Sequence, residues 1–163
     1  MRTDKGNFAP PGGKSLAPRQ FERQWRGGRP NDLNLAGMAA EYRGKFAGKA
    51  VICDFDSANW AWVCAGGSLP RLPRTTDKNL LAAIPQMQPW VADSEKKLWA
   101  LSEPGKQFLI CGSSGAELDL SAESGVFALH FIDPRSGLVS DQSQINQAGG
   151  KRIMPGGIVW LTK

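Results

Sequence analysis

Two aspartates at the end of an apolar run have the residue type and spacing for acid–base chemistry. Asp54 and Asp56 follow the run Val51–Cys53 and are separated by a single residue. On an extended strand, residues i and i+2 lie on one side, close enough for each carboxylate to affect the pKa of the other. Glycosidic bonds are hydrolysed by such pairs. Asp54 and Asp56 are therefore catalytic candidates, and the alternative is that they cap the following helix or face solvent.

Tryptophan is the second residue type that points to a ligand, since there are six in 163 residues. Indole faces stack on sugar rings and on guanidinium groups. Trp25 and Trp90 lie beside basic or proline-rich stretches and are predicted to be exposed and ligand-binding. Trp99 and Trp160 lie within strand patterns, which favours packing in the core.

Three arginines complete the predicted binding residues. Arg71 and Arg74 form a short basic cluster with Lys78, and Arg135 lies in the turn sequence DPRSG. These side chains are candidates for lining a groove that contacts a ligand. The alternative is an ordinary solvated surface, because charged clusters usually face water.

The remaining reactive side chains favour structural roles. His130 is the single histidine and has no nucleophile or carboxylate at a telling spacing, so a structural histidine is the better interpretation than a base. Cys53, Cys64 and Cys111 lack CxxC spacing and have apolar neighbours, which predicts buried thiols and no disulfide framework. The sequence contains neither GxSxG nor a phosphate-binding loop. We expect no metal and no cofactor.

The net charge of +5 is concentrated at the beginning of the chain. Residues 1–50 contain ten Lys or Arg against four acids, whereas residues 51–163 contain ten against eleven. Such a segment can contact nucleic acid, although it carries no recognised binding module. Nucleic-acid binding is therefore kept as an alternative. No apolar run approaches the roughly 20 residues of a membrane span, and the N-terminus does not read as a secretory signal. The cellular location stays open.

The first 96 residues divide into two segments. Residues 1–31 carry three proline-containing stretches and little apolar periodicity, which predicts a flexible basic arm. Residues 32–96 predict a short, irregular α/β segment: a helix capped by Asn31 or Asp32, a buried strand ending at Asp56, a helix around Trp60, and a helix that begins at Thr76 or Asp77.

From residue 97 the period changes to strand, turn, strand. Turn signals recur every eight to twelve residues or so, which is typical of an antiparallel sandwich or small barrel. In the strand before DPRSG, Phe127, Leu129 and Phe131 share one face and His130 lies on the other. Both faces are mostly apolar, which predicts an interior strand. The predicted fold is mainly β, with a C-terminal β-sandwich over residues 97–163.

This last region resembles a known accessory domain. The segments LWALSEPGKQFLI, GAELDLSAESGVFALHFIDPRSG and GGIVWLTK are similar, in content and order, to the C-terminal domain termed collagen-binding in bacterial glycoside hydrolases with an apiosidase-like (β/α)₈ catalytic domain. The preceding ANWAWVCAGGSLPRLP resembles the end of such a catalytic barrel, and LLAAIPQMQPW the last barrel helix and the linker. Members of this family are often exported.

The resemblance implies a binding or packing role. A complete barrel needs about 250 residues, and fewer than a hundred precede the predicted sandwich, so barrel catalysis is not expected from this chain alone. We expect a non-catalytic accessory module that packs on a catalytic domain or contacts polysaccharide. The alternative is a hydrolase fragment in which Asp54 and Asp56 act only with the rest of the barrel.

Overall fold

The computed structural model shows a mainly β protein, as the sequence predicts. It describes residues 2–4, 7–9, 31–53, 59–93, 95–112, 117–145, 150–153 and 155–163. Two short strands near the N-terminus, β1 (Arg2–Asp4) and β2 (Asn7–Ala9), pair antiparallel. Otherwise residues 1–31, the predicted basic arm, lie outside the described residues except for Asn31.

Eight further strands follow β1 and β2 in the described part of the chain. They are β3 (Gln88–Asp93), β4 (Leu98–Glu103), β5 (Gln107–Gly112), β6 (Glu117–Asp119), β7 (Phe127–Ile132), β8 (Val139–Ile145), β9 (Lys151–Ile153) and β10 (Gly157–Thr162). Six of them form the main antiparallel sheet, with the strand order β3-β4-β5-β10-β7-β8, and β6 and β9 form a small second sheet.

Alternating side chains give the main sheet two apolar faces. Phe108 and Leu129 belong to a cluster on one face, whereas Trp99 and Leu109 belong to a second cluster on the other. A sheet that is buried on both sides must be covered on both sides. Leu118 of β6 and the adjoining Leu120 cover the first face. As predicted, β7 is an interior strand, since it pairs with β10 and with β8.

Three short helices cover the other face. They are α1 (Asp32–Lys45), α2 (Trp60–Cys64) and α3 (Lys78–Ala83), and a 3₁₀ turn over Ile84–Gln86 follows α3. Side chains cap the starts of α1 and α3: Asn31 accepts from the backbone N–H of Asn34, and Asp77 accepts from that of Leu80. The predicted helix starts are confirmed at both positions.

The helical layer is held to the sheet by a compact core. Leu35, Trp62 and Leu80 of the three helices are fully buried, and they share a cluster with Trp99 and Leu109 of the sheet. Leu81 of α3, next to the buried Leu80, is 43% exposed. The helix is too short to bury more than one stripe of side chains.

The DPRSG turn joins the six-stranded sheet to the layer of three helices. Its Pro134 carbonyl accepts a hydrogen bond from the Trp60 indole at 3.2 Å, and its Gly137 carbonyl accepts one from the Asp77 backbone N–H at 3.1 Å. The Thr75 hydroxyl donates to the Ser136 carbonyl at 2.5 Å. The DPRSG turn therefore connects the β7–β8 hairpin with Trp60 of α2 and with the segment that leads into α3.

The sheet starts at Gln88, before the strand pattern expected from residue 97. The resemblance predicts a linker at the end of LLAAIPQMQPW, yet Pro89 lies within β3. Because β3 is an edge strand, the missing proline N–H costs no ladder hydrogen bond.

No helix in the described part of the chain combines the length and the apolar content needed to cross a membrane.

Candidate functional site

The candidate site is an open pocket between the end of α1 and the edge strand β3, which we call the edge pocket. Its volume is about 350 Å³. Half of its lining residues are alanine or glycine, and the others include one arginine and one tryptophan. The described lining residues are Ala40, Arg43, Gly44, Ala47, Gly48, Ala65, Gln88, Pro89, Trp90 and Val91.

Arg43 is the charged group of this lining, and its position is fixed. It lies in the last turn of α1 and is half-buried. Its Nε donates to the Gly66 carbonyl at 2.6 Å and its Nη1 to the Lys49 carbonyl at 2.9 Å. A guanidinium has five N–H donors, so these two bonds fix its plane and leave further donor capacity. The cation is thus held before any ligand arrives.

The end of α2 forms the adjacent wall. The helix stops through backbone bonds from Gly66 N–H to the Val63 carbonyl and from Gly67 N–H to the Trp62 carbonyl, both 2.8 Å. Gly66 has a φ of +82°, and a Cβ there would lie 2.7 Å from Pro89 Cγ. Glycine is therefore required at this position for the helix end and β3 to approach each other.

Trp90 lies at the point where the β3 pairing is irregular. The register with β4 shifts between Pro89 and Val91, which places Trp90 at a bulge of an edge strand. The indole is 39% exposed. One side of it is supported by Phe108, since the ring centroids are 5.0 Å apart. As predicted from the proline-rich stretch beside it, Trp90 is exposed, while Trp99 is 1% exposed and belongs to the core.

The described lining of the edge pocket offers a fixed cation, an amide from Gln88 and an aromatic residue. It contains no carboxylate, imidazole, thiol, hydroxyl or lysine side chain. Those are the side chains that usually serve as general acids, general bases and nucleophiles. Throughout the described ranges, no cluster of three or more His, Cys, Asp or Glu side chains could hold a metal ion.

The predicted arginines lie elsewhere. Arg74 precedes Thr75, and Arg135 precedes Ser136. Because the Thr75 hydroxyl donates to the Ser136 carbonyl, the two arginines lie near the same contact between the DPRSG turn and the segment before α3. Both are exposed, as is Arg71 further along the same segment. None of the three lines the edge pocket. Their role in ligand binding stays a prediction, as does that of Trp25, which lies outside the described residues together with Asp54 and Asp56.

His130 and Trp160 lie side by side on the helix-covered face of the sheet. The His130 Nε2 is 2.9 Å from the Thr162 hydroxyl, and the two rings are 5.4 Å apart. The Trp160 indole donates to the Gln107 side chain at 3.2 Å. These contacts support the structural interpretation of His130. Trp160 is half-buried and packs against the core, in agreement with its strand pattern.

The three cysteines are thiols in hydrophobic surroundings. Cys53 and Cys64 are buried and Cys111 is half-buried. Burial raises the pKa of the Cys64 thiol well above its ordinary value. A raised pKa disfavours the thiolate, which is the reactive form. For Cys64, this agrees with the predicted role in packing.

Sequence reasoning missed Arg43 as a site residue. It lies in a helix whose charged residues resemble a solvated face. The carbonyls that orient it belong to Lys49 and Gly66, and both of these residues are distant in sequence from β3, which forms the other side of the pocket. A signal was present in its surroundings, because Ala40, Gly44, Ala47 and Gly48 leave a surface with no long side chain around the arginine. Only the packing of α1 against β3 shows that this surface is concave.

A family model matches the part of the chain that contains the three helices. The family is described as a domain of unknown function (DUF6298), and its model matches residues 1–87, more than half of the chain. The match ends next to the first strand of the six-stranded sheet. No curated protein matches the chain.

Proposed function

We propose that this chain, which belongs to the DUF6298 family, is a non-catalytic accessory module that contacts polysaccharide through the edge pocket. The observation that carries the proposal is that a fixed arginine and an exposed tryptophan line the same concave surface. Sugar rings are recognised by aromatic faces together with a few well-placed hydrogen-bond donors. The lining of the edge pocket includes one residue of each kind, Trp90 and Arg43.

The resemblance of residues 97–163 to the accessory domain of apiosidase-like glycoside hydrolases supports the same proposal. Accessory modules of such enzymes act by holding the catalytic domain near its substrate or by packing on it. A pocket without acid–base groups in its described lining fits a module that binds and leaves catalysis to another domain.

The direct test is titration of the chain with a panel of soluble plant and bacterial polysaccharides, followed by isothermal calorimetry. We expect binding of at least one polysaccharide and a loss of about three- to tenfold in affinity for Trp90→Ala, since aromatic stacking contributes about 0.5–1.5 kcal/mol. Leu81→Ala is the matched control, because Leu81 is a similarly exposed apolar residue outside the pocket. Heat for no polysaccharide, or equal losses for both variants, would contradict the proposal.

A second role, packing on a catalytic domain, is favoured by an exposed apolar pair. Ile52 forms a parallel bridge with Ser68, and α2 lies between the two in sequence. A helix between parallel strands is the repeating unit of a (β/α)₈ barrel. Ile52 is 54% exposed and Leu69, next to the bridge, is 70% exposed. Apolar side chains beside a parallel bridge suit contact with further barrel strands.

This second role predicts a specific association. The barrel of an apiosidase-like hydrolase, supplied as a separate chain, should bind this protein, and the double change Ile52→Lys and Leu69→Lys should abolish the complex in analytical ultracentrifugation. Ile153→Lys is the control, since Ile153 is 75% exposed on β9. A complex that survives the double change, or that Ile153→Lys also abolishes, would exclude this surface.

A further inference from the structure

We infer that the edge pocket takes an acidic sugar, a uronic acid residue of a polysaccharide chain. This inference rests on the proposed function and narrows it to a class of ligand. It is carried by the charge and geometry of Arg43 within the pocket, which a neutral sugar would leave without a counter-charge.

The charges around the pocket favour an anion. Arg43 is the charged side chain of the described lining, and no carboxylate is present there to neutralise it. The nearest acid in sequence, Glu41, pairs with Lys45 on the helix surface. The groups that do hold Arg43 are backbone carbonyls of Gly66 and Lys49, and these carry only partial charges. A carboxylate from the ligand would supply the full opposite charge.

The geometry also suits a carboxylate. A guanidinium presents parallel N–H donors that match the two oxygens of a carboxylate, and such bonds are stronger than those between neutral groups. The carbonyl contacts through Nε and Nη1 fix the plane of the Arg43 guanidinium. Because the side chain is half-buried, the attraction is screened less than at an open surface.

The walls leave room for one sugar residue beside the arginine. Ala40, Gly44, Ala47, Gly48 and Ala65 carry no side chain larger than a methyl group. The volume of about 350 Å³ is at the lower end of small-molecule sites, about 300–1,000 Å³. A pocket of this size suits a single ring, with the remainder of the polymer continuing along the open side.

The test compares two forms of one polymer. Oligogalacturonate and its fully methyl-esterified form share the same chain and differ in charge at each ring. With the full chain at low salt, we expect calorimetry to show at least tenfold tighter binding of the acid form, and this difference to shrink at 0.5 M salt. Arg43→Gln should remove the difference, whereas Lys106→Gln, which changes an exposed cation outside the pocket, should retain it.

The outcomes separate this inference from the proposed function. Equal binding of the acid and the ester would overturn the acidic-sugar assignment and leave polysaccharide binding intact. A difference that Lys106→Gln removes would overturn the assignment to Arg43. If Arg43→Gln fails to fold, the comparison of the two polymers on the unaltered chain and its salt dependence still decide the class of ligand. Binding of neutral polysaccharides alone would also overturn it.

Discussion

The six-stranded sheet and the helical layer obtain their order in different ways. The sheet has a regular register over most of its strand pairs and apolar side chains on both faces. The helical layer consists of short helices whose ends depend on single caps and on contacts with the sheet. The edge pocket lies where the regular part meets the irregular part.

This difference indicates where binding can evolve without loss of the fold. In the sheet, nearly every inward side chain has neighbours in the core, so a change in size or polarity is costly. At the edge pocket, Gly44 and Gly48 are exposed, and a Cβ added at either position would meet open space. The sheet therefore serves as the rigid support and the helix ends supply the recognition surface, an arrangement common to binding loops on stable scaffolds.

The largest expected effect comes from placing a charge within the sheet. Leu129 is 6% exposed in the cluster on the face opposite the helices. Leu129→Asp buries a carboxylate without a partner, which costs several kcal/mol against a total stability of about 5–15 kcal/mol. We expect no cooperative thermal transition.

Leu138→Asp is the matched control for that change. Leu138 is 57% exposed on the same hairpin, and its replacement should alter the free energy of unfolding by about 0.5 kcal/mol or less. A melt of Leu129→Asp that matches the unaltered chain would show that Leu129 is not in the core.

The second effect tests the contact between the DPRSG turn of the sheet and the helical layer. Gly137 has a φ of +70°, and a Cβ there would lie 2.7 Å from Thr76 Cα. Gly137→Ala should destabilise the protein by about 3 kcal/mol, the sum of backbone strain and displacement of the Thr76 segment. Gly105→Ala has a similar φ of +75° with open space around it, and should cost about 1 kcal/mol. Equal losses in urea denaturation would mean that the turn does not press on the helical layer.

The third effect is a dependence of stability on acid pH. The hydrogen bond from the Ser136 hydroxyl, with help from the Arg135 backbone N–H, lowers the pKa of Asp133 in the folded protein. A lowered pKa stabilises the fold above the pKa of the unfolded chain, about 3.9. That contribution disappears as the pH falls through the lower folded pKa.

Asp133→Asn isolates this residue from the other carboxylates with lowered pKa values, Asp93, Glu103 and Asp119. The variant should show a smaller loss of stability between pH 5 and pH 2 than the unaltered chain, measured by urea denaturation at each pH. Parallel pH profiles would indicate that the turn forms without the Asp133 carboxylate.

The smallest effect concerns Arg135. Its side chain is exposed in the turn, so Arg135→Ala should change the melting temperature by less than about 2 °C, as is usual for surface substitutions. The same variant should bind polysaccharide as the unaltered chain does. A clear loss of binding would shift the recognition surface from the edge pocket to the turn.

Much of this fold is predictable from the sequence because local signals agree with packing. The spacing of Leu35, Met38 and Tyr42 and the Asn31 cap predict α1, and the alternation around Leu129 predicts an interior strand. These signals are confirmed because burial and local preference favour the same structure. The edge strand β3 was not predicted, since Pro89 and the bulge at Trp90 hide its period.

The site is less predictable than the fold for a physical reason. Trp90 could be selected from its exposed surroundings, but Arg43 becomes a candidate only when the Gly66 and Lys49 carbonyls orient it. The Lys49 and Gly66 carbonyls lie 6 and 23 residues from Arg43, and their segments share no sequence pattern with it. Hydrogen bonds to backbone carbonyls place no demand on residue type, so the sequence does not record them.

The most direct test of polysaccharide binding at the edge pocket is a titration followed by ¹H–¹⁵N NMR of the indole and guanidinium N–H groups. With a bound oligosaccharide, we predict shifts of the Trp90 indole and of Arg43 Nε–H. The Trp160 indole, which donates to Gln107 on the sheet, serves as an internal reference and should not move. Shifts at Trp160 or at other indoles, with Trp90 and Arg43 unchanged, would contradict the assignment of the edge pocket.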